Sequence, residues 1–152
     1  YAFSTEGMVG YSLGKKDITL FKKIVQNSFI LSSITGLIIS IIYFLINNFV
    51  INLMSDIEEI RNLSSSYAVW LIIMPLISSF CFQFDGIFIG VSQTKELRNA
   101  MIFSVFSYLV ISIFLTGLMG NTGVWISLCI FMILRALSLY YYMDRIYLRF
   151  NK

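Results

Sequence analysis

The stretch IVQNSFILSSITGLIISIIYFLINNFV, residues 24–50, contains no ionisable acid or base. About 20 consecutive, mostly apolar residues suffice to carry an α-helix across roughly 30 Å of hydrocarbon. Three later stretches are also long and mostly apolar: residues 66–91, 100–119 and 123–143, each followed by a polar break. Lipid offers backbone N–H and C=O groups no hydrogen-bond partners, so helices are the default spanning structure. A closed barrel would instead show alternating segments of about 10 residues, and these runs do not alternate. The expected fold is all-α, a polytopic membrane helix bundle in one unit over residues 1–152.

Composition points the same way. The chain has 152 residues, 58% of them hydrophobic and 12% charged, with a mean hydropathy of +0.82. Soluble domains average about 25% charged residues, so lipid is the expected surrounding. The net charge of +3 is small and its positive residues sit in local clusters, which gives no nucleic-acid signal. There is no histidine, which removes histidine metal sites and triads, and no metal site is expected. Cys81 and Cys129 both lie in apolar runs and read as packed or lipid-facing thiols. Walker, GxSxG and HExxH motifs are missing, so neither enzyme activity nor a cofactor is expected. The chain starts Tyr-Ala-Phe, and no signal-peptide pattern is visible in it. Residues 1–12 are small, polar and Gly-rich, and read as the last turns of a helix that began earlier. A piece of a longer protein is the expectation.

Lysine and arginine in short loops set orientation. Lys15, Lys16, Lys22 and Lys23 precede the first span; Asp56, Glu58, Glu59 and a single Arg61 follow it. Lys95 and Arg98 follow the second, uncharged GNTG (120–123) follows the third, and Arg145, Arg149 and Lys152 end the chain. Basic and non-basic loops alternate, as four spans require. The basic loops and the C-terminus are therefore expected on the cytoplasmic side of the cell membrane, with Tyr140, Tyr141, Tyr142 and Tyr147 as an interfacial aromatic belt. Between the first two spans, residues 47–66 carry apolar residues at helical spacing, with Ser55 as a cap, and suggest a short amphipathic helix on the outer surface.

Two charges fall inside spans. Asp85 lies ten residues before Lys95, and Arg135 ten residues before Arg145, each about 15 Å deep if the helices run straight. A charge at a helix centre costs about 2.5–3.5 kcal/mol, so such residues face a bundle interior, a water-filled cavity or a partner. Asp85 reads either as a packed carboxylate or as a proton- or cation-binding group in a transport path. Arg135 reads as a snorkelling or helix-bridging cation, and equal depth permits an Asp85–Arg135 contact. Pro75, mid-span, removes a backbone hydrogen bond and is a candidate kink. Gln83, two residues before Asp85, points elsewhere on the helix. Glu6 is a further candidate, wet at a helix end or binding an ion. Gly86 and Gly90 form a GxxxG, a signal for close helix contact. The many Phe and Tyr rings offer faces to an aromatic cation, or simply pack.

EGMVGYSLGKKD (6–17), FDGIFIGVSQTKELRNAM (84–101) and GVWIS (123–127) resemble the multidrug and toxic compound extrusion (MATE) family, in its DinF-like branch. The resemblance runs over nearly the whole chain, and DG-x-F-x-G followed by T-x-x-x-R-N-A is its most specific string. It implies two six-helix lobes in the full transporter. This chain would be a partial C-terminal lobe, with four full helices plus the end of a fifth, missing its N-terminal partner lobe. It implies export of organic cations or other amphipathic compounds against an inward flow of protons or sodium. It maps a cation-site aspartate of some members onto Asp85 and a recurrent glutamate of uncertain role onto Glu6. In DinF-like members a proton-linked aspartate belongs to the other lobe, so the coupling ion stays open. A lipid-linked saccharide flippase of related fold, or a non-transporting membrane scaffold, are the alternatives. Flippase cavities tend to be more cationic, whereas Arg135 is the one basic residue within a span.

Overall fold

The computed structural model describes residues 1–150, which form five α-helices: α1 (Ala2–Gly14), α2 (Ile18–Met54), α3 (Glu58–Gly90), α4 (Thr94–Met119) and α5 (Asn121–Phe150). Among the described residues there is no strand. Helices α2 to α5 are each long and apolar enough to cross a membrane. Lys152, counted above with the basic tail, lies outside the described residues.

Helices α2 and α5 run past both ends of the apolar stretches that announced them, and α3 and α4 begin before theirs, because helical hydrogen bonding does not stop where hydrocarbon does. α2 covers 18–54 where hydropathy marks 24–50, and α5 covers 121–150 where it marks 123–143. Asp17 caps α2: its Oδ1 accepts from the Leu20 N–H at 2.9 Å and the Thr19 hydroxyl at 2.7 Å. These hydrogen bonds, led by the one from Leu20, hold the Asp17 carboxyl below its ordinary range. The separate amphipathic helix expected over 47–66 is absent. Its first part is the end of α2 and its last part the start of α3, joined by a break at 55–57. Arg61 secures that break by donating to the carbonyls of Ser55 and Asn52 and pairing with Asp56 at 3.2 Å. Ser55 contributes its hydroxyl, accepting from the Ile57 N–H at 3.2 Å. At the junction of α4 and α5, Gly120 alone separates the two helices, at φ +60°, a left-handed backbone that glycine adopts without steric cost.

α2 packs against α3 and α4 against α5, while α1 lies on α3 and α2, and α3 meets α5. The buried apolar core gathers at one end: Val9, Phe21, Phe88, Val91, Leu139 and Ile146 are all fully buried. Phe21 sits edge-on to Tyr147 at 5.8 Å and beside Phe150 at 4.9 Å. This is the end that carries the basic loops. Away from it, large apolar side chains point outward, Leu45 at 72%, Ile113 at 78% and Phe114 at 66% exposure. That is the reverse of a soluble core and matches a surface solvated by acyl chains.

Small residues set how closely the helices approach. On α2, Ser28, Ser32, Gly36 and Ser40 recur every fourth position and are all buried. A Cβ at Gly36 would lie 3.0 Å from the Pro75 carbonyl oxygen and 3.3 Å from Ser79, both on α3. Gly86 and Gly90 do the same for α1: a Cβ would sit 2.5 Å from the Ala2 and Glu6 carbonyl oxygens respectively. The GxxxG is thus a helix-contact surface. Gly90→Ala should push α1 off α3 and lower stability by about 1–3 kcal/mol, the usual cost of overpacking. Gly117→Ala, with open space around it, should be neutral or mildly stabilising. Thermal unfolding of both variants in detergent measures the difference; equal midpoints would contradict the close contact.

Candidate functional site

α1, α2 and α3 enclose a cleft of about 540 Å³. Its exposed wall is apolar and aromatic through Phe3, Phe82 and Ile89, interrupted by polar side chains, Glu6, Ser32, Thr35, Gln83 and Asp85 among them. Three of the four residues singled out as ion- or substrate-binding candidates, Glu6, Gln83 and Asp85, therefore line one space, as does Pro75. The fourth, Arg135, does not line it.

Helical spacing explains the division of labour. Gln83 and Asp85 are two residues apart on α3, about 200° around the axis. Gln83 turns toward α1, where its Oε1 accepts from the Thr5 hydroxyl at 2.9 Å with both side chains fully buried. Asp85 turns toward α5, where its Oδ2 accepts from Arg135 Nη2 at 2.8 Å. Only 14% of the Asp85 side chain and 13% of the Arg135 side chain is exposed. The contact permitted by equal depth is present. The depth itself is shallower than a straight run to Lys95 implied: α3 stops at Gly90 and the chain turns at 91–93. Asp85 lies five residues before the helix end, about 7.5 Å along the axis.

The pair is incompletely satisfied. Asp85 Oδ1 and Arg135 Nε are both buried without a hydrogen-bond partner. One N–H···O contact joins them where the guanidinium fork permits two. Glu6, half-buried on α1, makes no side-chain ion pair or hydrogen bond among the described residues. Its backbone carbonyl is the one that abuts Gly90, which fixes α1 against this wall. α3 continues as one helix through Pro75. There the ring removes the N–H that would otherwise bond the Leu71 carbonyl, and the Pro75 carbonyl packs on Gly36 beside the cleft. Both cysteines are buried and free.

The serine stripe of α2, which forms part of the cleft wall through Ser32 and Gly36, went unremarked in the sequence reading. Its four-residue period is the signal that identifies it. A second polar cluster closes the basic end. Arg145 pairs with Glu96 at 3.2 Å and Arg149 donates to the Val91 carbonyl, tying α5 to the α3–α4 turn.

Removing one member of a buried ion pair costs roughly 3–5 kcal/mol, because the other is left uncompensated, whereas removing both costs far less. Asp85→Ala and Arg135→Ala should each destabilise strongly, and the double variant should be more stable than either. The swapped pair Asp85→Arg with Arg135→Asp should recover part of the loss. Additive effects in thermal unfolding would contradict the pairing.

A profile of the MatE family matches residues 1–118. DNA damage-inducible protein F of Escherichia coli (strain K12) is 30% identical over 139 residues, which is 91% of this chain and 30% of that relative. The chain thus spans about a third of the length of the curated relative it matches. No solved structure matches it. The family anticipated from the 84–101 string is the one found, and four membrane-capable helices fit it: this chain belongs to the MatE family and is a multi-pass membrane protein.

Proposed function

We propose that this chain forms the C-terminal part of a cation-coupled exporter of organic cations or other amphipathic compounds. In this reading it works with an N-terminal lobe, in the cell membrane, with its C-terminus in the cytoplasm. The observation that carries the proposal is the composition of the cleft. It combines an apolar and aromatic wall with two carboxylates, Glu6 and Asp85, and no basic residue among those lining it. Ring faces and carboxylates together attract a lipophilic cation more than a neutral or anionic solute. The flippase alternative is disfavoured by the same wall, since a pyrophosphate needs cations and Arg135 stays behind the cleft, bound to Asp85.

The physical cycle follows from differential binding. A coupling proton or sodium ion and a cationic substrate both seek negative charge, so occupancy by one lowers affinity for the other. Only such a difference between states can drive exchange. The close-packed faces at Gly36, Gly86 and Gly90 hold α1, α2 and α3 as a wall, against which a second lobe would move. The basic loops on one end support the proposed orientation.

In the full-length protein, Asp85→Asn should lower ion-driven efflux of a cationic dye from proteoliposomes at least about ten-fold, equivalent to about 1.4 kcal/mol. The variant should still insert in normal amounts. Efflux at the wild-type rate would remove Asp85 from the mechanism. Stable co-purification with another membrane protein, without flux, would favour the scaffold alternative.

A further inference from the structure

Asp85 is the point where the cleft and the α3–α5 contact share one side chain. Its carboxylate lines the cleft, and its Oδ2 is held from the other side by Arg135. The second oxygen, Oδ1, is buried and idle, as is Arg135 Nε. Among groups near the carboxylate, α5 supplies the Arg135 guanidinium, α1 supplies Glu6 across the cleft, and α3 supplies the Cys81 thiol one turn earlier. From α2 the cleft receives only hydroxyls, Ser32 and Thr35, and apolar groups.

We propose that Arg135 is a built-in counterion that competes with an incoming lipophilic monovalent cation for Asp85. The α3–α5 ion pair and cation occupancy of the cleft then exclude one another. This rests on the transport reading above and adds a specificity-determining residue to it. The geometry supplies both halves of the exchange. Asp85 lines the cleft and Arg135 does not, so a cation in the cleft and the guanidinium reach the carboxylate from different helices. The single N–H···O contact is weaker than a two-pronged one. Oδ1 is buried without a hydrogen-bond partner, so a cation engages the carboxylate only as it turns into the cleft and Oδ2 leaves the guanidinium. With the pair closed, Glu6 is the one uncompensated carboxylate among those lining the cleft. With the pair open, Asp85 adds a second. Cation binding is thereby coupled to the contact between α3 and α5, a link from the cleft to a helix that does not line it.

The test measures binding of tetraphenylphosphonium to purified full-length protein. Arg135→Gln should tighten binding roughly ten-fold, within the 5–150-fold range typical of coupled sites. Arg135→Lys, which keeps the positive charge, should stay near wild type. The gain should vanish in Asp85→Asn combined with Arg135→Gln. Affinity unchanged within about two-fold, or weakened, in Arg135→Gln would overturn the proposal. A readout on the wild-type protein covers the case in which that variant does not fold. Modification of Arg135 by phenylglyoxal, followed by mass spectrometry, should accelerate when tetraphenylphosphonium saturates the protein; an unchanged or slower rate would overturn the proposal. Ion-driven efflux by wild-type proteoliposomes is measured in parallel. Its absence would sink the transport reading, while efflux with unaltered binding in Arg135→Gln would sink the counterion alone.

Discussion

Hydrocarbon supplies no hydrogen bonds and almost no dielectric screening, and the arrangement of this chain answers to that constraint. Backbone groups close on themselves in helices up to 37 residues long. Many hydroxyls close on their own helix: Ser32 donates to the Phe29 carbonyl at 3.2 Å, Thr35 to Leu31 at 2.9 Å, Ser104 to Ala100 at 2.7 Å and Ser127 to Gly123 at 2.6 Å. Two charges within the spans cannot close locally, and they find each other across 50 residues of sequence at 2.8 Å. The pairing converts two separate desolvation costs into one contact, and it joins α3 to α5.

Close approach is the second consequence of the same solvent. Lipid is as apolar as leucine, so helices associate through packing of small residues and not by withdrawal from water. Gly36 against Pro75, and Gly86 and Gly90 against α1, bring three helices near enough to share a wall. The cleft lies along that wall. The best-buried aromatic residues cluster instead at the basic end, where Phe21, Tyr147 and Phe150 interlock.

The membrane helices were legible in the sequence because hydropathy over 20 residues is a strong, local signal. Helix ends were less so: a helix such as α5 continues to Phe150 through polar residues that hydropathy discards. The segment at 47–66 misled for a related reason, since helical spacing there belongs to two helices on either side of a break. At the site, Gln83, Asp85 and Arg135 stood out as polar residues in apolar surroundings, and Glu6 as the one acid of the opening stretch, which are one-dimensional properties. Equal depth permitted the Asp85–Arg135 contact without fixing it, and Thr5 did not stand out at all, because the azimuth that sends Gln83 to Thr5 and Asp85 to Arg135 depends on which helices are neighbours. The serine stripe of α2 carried a readable four-residue period, and it is visible once small residues are counted with the same care as charged ones.

The central claim is that Asp85 faces an aqueous or ion-accessible space inside the bundle and not acyl chains. Cysteine accessibility tests it most directly. In full-length protein whose other cysteines are replaced, Asp85→Cys should react with a membrane-impermeant maleimide, whereas Phe114→Cys on the outward face of α4 should not. An Asp85→Cys site as unreactive as Phe114→Cys, in correctly inserted protein, would contradict the account.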